Sequence, residues 1–87
     1  MEPHRIQGMY LRGTIGARQY AVLVVEVRPY LTYEAPDRPV EMYSLTIEGM
    51  AEGWRIGPWL VDVEASKATE EAIRKAVEAT IKRMMGW

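Results

Sequence analysis

Cysteine is absent from this sequence, which excludes a disulfide framework and any thiolate metal site. His4 is the single histidine, so a multi-histidine metal centre is impossible and a Ser-His or Cys-His nucleophile pair has little to build on. No metal and no cofactor are expected. No apolar run reaches membrane-spanning length and the N-terminus has no apolar core of signal-peptide length, so a soluble, cytoplasmic protein without a membrane partner is expected. Asparagine is missing, glutamine occurs only at Gln7 and Gln19, and arginine outnumbers lysine. Depletion of thermolabile side chains is a thermophile tendency, although the 6 methionines run against it.

Charge of one sign is also lacking. The formal net charge of −1 argues against the broad basic field that duplex DNA binders use, yet it leaves room for a local patch. Residues 1–33 carry Arg5, Arg12, Arg18 and Arg28 against Glu2 and Glu26, while Glu41, Glu48, Glu52, Asp62, Glu64, Glu70, Glu71 and Glu78 follow. A chain of 87 residues makes one domain spanning 1–87, near the size at which a single core is only marginally sufficient. A homo-oligomer is therefore expected.

Four strand candidates precede one helix. Arg5 to Thr14 alternates, and Gly16-Ala17-Arg18 reads as a tight connection to Gln19 to Arg28. That second segment alternates two apolar sets, Ala21, Leu23, Val25 and Val27 against Tyr20, Val22 and Val24 with Glu26 and Arg28. Tyr20, Leu23, Val24, Val27, Tyr30 and Leu31 also fit helical spacing, but the concentration of valine favours a strand. Pro29 is expected to end this strand, and Thr32 to Pro39 reads as an irregular loop. A third strand is expected over Val40 to Glu48, a turn over Gly49 to Gly53, and a fourth strand over Trp54 to Glu64 with a bulge or bend near Gly57-Pro58.

The helix is marked at both ends. Ser66 or Thr69 can cap its N-terminus, Glu70 and Glu71 suit the positive end of its dipole, Lys82 and Arg83 suit the negative end, and Gly86 stops it. Its apolar stripe is Ala72, Ile73, Ala76, Val77, Thr80, Ile81 and Met84. Together these elements define an α+β protein in which a four-stranded antiparallel sheet (ββββα) carries the C-terminal helix on one face. Ala21, Leu23, Val25, Val27, Leu45, Ile47, Val61 and Val63 are the sheet positions expected beneath the stripe, leaving Val22, Val24 and Met42 on the uncovered face as an oligomer interface.

No reaction is specified. Asp62 and Glu64 share a strand face but read as a solvated edge, and Gly8, Gly13 and Gly16 lack the strand-to-helix context of a phosphate loop. A non-enzymatic protein is expected. The remaining signal is aromatic and basic: Tyr10, Arg12, Tyr20 and Arg28 on the face away from the helix, Arg18 in the adjoining turn, Trp54 and Arg55 at the start of the fourth strand, and Tyr30 and Tyr33 in the loop. Rings that stack on bases and cations that hold phosphates suit single-stranded DNA or RNA, bound on this face or in an intersubunit cleft. The same residue types also suit a homo-oligomeric protein-interaction module or a small inhibitor protein with no nucleic-acid role.

The four-strand-plus-helix unit without Cys or Asn, bearing Tyr10, Tyr20 and Trp54 with Arg12, Arg18 and Arg28, resembles the archaeal ThermoDBP-related single-stranded DNA-binding proteins. That resemblance implies an archaeal single-stranded DNA binder. The helix pattern Ile73 to Ile81 is also similar to that of the small dimerising subunit of the archaeal tRNA-modifying KEOPS complex, which has a helix where this chain places its first strand. Double-stranded RNA-binding domains share the final-helix pattern as well, but the phosphate-gripping positions here would be Glu70 and Glu71, of the wrong sign.

Overall fold

The computed structural model describes residues 1–87. A helical turn α1 (Pro3–Ile6) leads into β1 (Tyr10–Ile15), β2 (Arg18–Ala35), β3 (Arg38–Ala51) and β4 (Trp54–Glu64), and a short 3-10 turn at Ala65–Lys67 passes to α2 (Glu70–Met85). The strands form one antiparallel sheet in the order β1-β2-β3-β4, and α2 lies across one face. The expected α+β class and ββββα order are therefore present.

Local chemistry accounts for the connections. Gly16 takes φ 63° at the first central position of the β1–β2 turn, and Glu52 and Gly53 take φ 49° and 81° at the β3–β4 turn, the positive values that two-residue hairpins require. At the helix N-terminus the Thr69 hydroxyl accepts from the Ala72 N–H at 3.1 Å, and at the C-terminus Gly86 turns left-handed. The Trp87 N–H then donates to the Lys82 carbonyl. Between Ile47/Trp59 and Gly49/Ile56 the β3–β4 register shifts, where Gly57-Pro58 was expected to bend the strand. Gly57 (φ 86°) lies so close to the Ile47 carbonyl that no Cβ would fit.

Three expectations about the strands are corrected. The strand expected from Arg5 begins only at Tyr10: the chain turns at Gly8, whose N–H donates to the Val24 carbonyl while the Val24 N–H donates to the Met9 carbonyl, and this places Ile6 in the core. Nor does Pro29 end β2. It pairs with Tyr43, and beyond Val24 nothing pairs with the other side of β2, so the missing N–H leaves no ladder bond unmade. Thr32 to Pro39 is not an irregular loop either, because β2 and β3 remain paired up to Ala35 and Arg38 around the two-residue turn Pro36-Asp37. The result is a long two-stranded arm.

In β2, up to its bulge, the covered face is the opposite of the one expected. Tyr20, Val22 and Val24 are buried beneath α2 and α1, whereas Ala21, Leu23 and Val25 lie on the open side. A bulge between Val24 and Glu26 restores Val27 to the helix side opposite Leu45. Leu45, Ile47, Val61 and Val63 occupy that side as anticipated, joined by Tyr43 and packed with Ile73, Val77 and Ile81 of the helix stripe. Val22 and Val24 are thus core residues, not an exposed interface; of that trio only Met42 remains on the open face.

These positions separate in a stability measurement. Val77→Ala or Ile81→Ala should lower the unfolding free energy by about 2–4 kcal/mol, and Val24→Ala by about 2 kcal/mol, whereas Val25→Ala should cost well under 1 kcal/mol. Denaturant melts of the four variants check this; equal losses at Val24 and Val25 would return the faces to the sequence-based assignment.

Candidate nucleic-acid interface

The open face is built in cross-strand rows, because antiparallel pairing sets side chains of one face next to each other. One row reads Arg12, Ala21, Met50, Arg55 across all four strands. The next reads Tyr10, Leu23, Glu48. Arg12 and Arg55 have no carboxylate within the 4.0 Å of an ion pair, and three strand spacings put them about 14 Å apart at the backbone. Between them Ala21, Leu23 and Met50 make an apolar floor, and Tyr10, 59 % exposed, stands at its side. A shallow groove of about 510 Å³ opens at the Arg12 end of this row between Tyr10, Arg12, Gln19, Met50 and Glu52, with Leu23 and Arg55 outside it.

The rest of this face has another character. Arg28 is paired with Glu26, and Asp62 and Glu64 line the β4 side opposite Ser44 and Met42. Tyr30 lies beside Asp62; loss of solvent and then that carboxylate push its phenol above the ordinary value. The apolar residues here are Tyr30, Met42, Val40 and Leu60, with Leu60 65 % exposed.

The residues assigned from sequence to one stacking surface are therefore divided. Tyr10, Arg12, Arg28, Tyr30 and Arg55 do lie on the open face. Tyr20 does not. Its hydroxyl donates to Glu78 Oε2 at 2.6 Å and accepts from Arg74 Nη1 at 2.9 Å, beneath the helix. Burial and the Glu78 carboxylate raise its pKa to about 12, so it is unavailable for stacking. Trp54, 71 % exposed, pairs with Ala51 on the helix side at the short end of the sheet, and Arg18 lies 5.0 Å from the Trp87 ring centroid in a cation–π contact. Both belong to the rim. Tyr33 stands on the helix side of the arm, beyond the helix itself. Leu23 and Met50, absent from the sequence-based site, belong to this face; the alternate phase of β2 was the signal that could have found Leu23, whereas Met50, expected within the Gly49 to Gly53 turn, lies instead on β3.

Arg74 connects this face to the helix. Its Nη1 also donates to the Arg12 carbonyl at 2.9 Å, so the helix anchors the backbone whose side chain faces the opposite side. No three His, Cys, Asp or Glu side chains converge as a metal-binding group, and no helix is long and apolar enough to cross a membrane. No protein-family model, no curated protein and no solved structure matches this chain.

The Tyr20 network has a measurable signature. A phenol whose pKa is raised in the folded state contributes stability that is complete below the unfolded value of 10 and is lost as pH rises toward about 12. Wild type should therefore lose stability between pH 10 and 12 that Tyr20→Phe does not lose, and at neutral pH the variant should be weaker by about 1 kcal/mol. Parallel pH slopes for the two proteins would place the titration elsewhere.

Proposed function

We propose that this protein is a non-enzymatic binder of single-stranded nucleic acid, taking the strand across the Arg12–Arg55 end of its open sheet face. The observation that carries the reading is the row Arg12, Ala21, Met50, Arg55, in which two arginines without ion-pair partners flank an apolar floor that nothing in the chain covers. Tyr10 supplies a ring on which a base can stack, and Arg12 and Arg55 hold phosphates on either side of it. Arg18 and Trp54 at the rim would extend the track.

Chemistry limits the affinity. Glu52 lines the groove and accepts from the Gln19 N–H at 3.3 Å, and Glu48 lies beside Leu23 in the Tyr10 row, so the cationic surface is narrow. Binding then rests on stacking as much as on charge, and a duplex, whose bases offer no free faces, is disfavoured.

Titration of labelled single-stranded DNA, single-stranded RNA and duplex, at several salt concentrations, tests this reading. Single strands should bind more tightly than duplex. Tyr10→Ala should weaken binding at every salt concentration, whereas Arg12→Ala with Arg55→Ala should weaken it and flatten the log–log salt slope by about 1.4. Absence of binding to single strands of about 20 nucleotides at low salt, where charge is least screened, overturns the assignment.

A further inference from the structure

Glu52 is the one residue other than glycine with a positive φ, 49°. It occupies the first central position of the β3–β4 turn, where asparagine, aspartate or glycine takes that conformation at less cost, and backbone strain of this kind collects where ligands are held. Its side chain is fixed as well. The Glu52 N–H donates to the Gln19 carbonyl at 2.9 Å and Glu52 Oε2 accepts from the Gln19 N–H at 3.3 Å, so the carboxylate is tied to the wall of the groove with Oε1 free of protein partners. Arg12 lines the same groove. Neither side chain takes part in an ion pair, and two strand spacings with one two-residue step along the strands set their backbones about 12 Å apart. A cation and an anion thus border a common apolar floor, Ala21 and Met50, without meeting.

We infer that this groove reads one base of the bound strand and that the base is guanine, an inference that rests on the single-strand reading above. Guanine alone among the bases carries two donors side by side, N1–H and N2–H, and two acceptors side by side, O6 and N7. A carboxylate matches the first pair and a guanidinium the second. Lying on Ala21 and Met50, a guanine turns its N1–N2 edge to Glu52 and its O6–N7 edge to Arg12, and the length of a purine suits the gap between them. Cytosine and adenine offer Glu52 only one amino group. Thymine and uracil flank their single N–H with carbonyl oxygens, which a carboxylate repels and leaves without donors. Glu52 therefore selects by exclusion as well as by attraction, which accounts for an acid inside a site for a polyanion.

Titration of labelled thymidine strands of about 20 nucleotides, unchanged or with one central nucleotide replaced by guanosine, inosine, adenosine or cytidine, is the test. Wild type should bind the guanosine strand about tenfold more tightly than the all-thymidine strand. Inosine, which lacks the N2 amino group, should lose most of that gain. Glu52→Gln keeps a carbonyl oxygen for the Gln19 N–H but no longer offers two acceptors; it should abolish the preference for guanosine while binding the all-thymidine strand at least as well as wild type. Equal wild-type affinity for all the strands, a preference for another base, or a guanosine preference that Glu52→Gln retains overturns the inference and leaves single-strand binding standing. Binding to none of the strands overturns both.

Discussion

A single helix of 16 residues must cover a sheet whose second strand is apolar on both faces up to its bulge, and the choice of face organises the whole molecule. It is enforced by side chains far apart in sequence. Tyr20 reaches Arg74 and Glu78, Leu11 and Val22 pair within the buried layer, and Ile6 folds back onto the same layer from α1. Slipping β2 by one residue would expose Val22 and Val24, bury Leu23 and Val25, and separate the Tyr20 hydroxyl from both partners. The bulge at Val25 then allows one strand to serve the core twice, through Val24 before it and Val27 after it.

The face left over is polarised along the strands. At the end near the β1–β2 turn it presents arginines without carboxylate partners around an apolar floor; toward the arm it presents an ion-paired arginine, two β4 carboxylates and an apolar strip. Such a division confines the proposed nucleic-acid contact to one end of the surface. That end is held from behind: the helix through Arg74 fixes the Arg12 carbonyl, and Gly49 lets β3 approach Ala21 and Val22 more closely than any side chain would permit.

The arm shows how edge chemistry and strand length interact. Proline in a strand is tolerated only where its nitrogen needs no partner, and the early end of β1 creates that situation at Pro29. A residue that reads as a strand terminator in sequence becomes here a guard on an open edge. Pro36 and Pro39 likewise lie at the turn and beside it without preventing Ala35 and Arg38 from pairing.

How much of this was legible follows from the range of the forces involved. The helix was readable to within a residue or two, since its Thr69 cap, terminal charges, Gly86 stop and 3.6-residue stripe are all local. The fourth strand and its irregularity at Gly57-Pro58 were readable for the same reason. The β3 side facing the helix, Tyr43, Leu45 and Ile47, was also evident, because Ser44, Thr46 and Glu48 alternate with it. In β2 no such contrast exists: valine and leucine occupy both phases, and a period of two does not tell one face from the other. Only tertiary pairing could decide that Tyr20, Val22 and Val24 go inward, that Arg12 and Arg55 fall in one row, and that the chain after Pro29 continues as a strand. Those outcomes depend on contacts between residues dozens of positions apart, whereas turns and caps depend on their immediate neighbours.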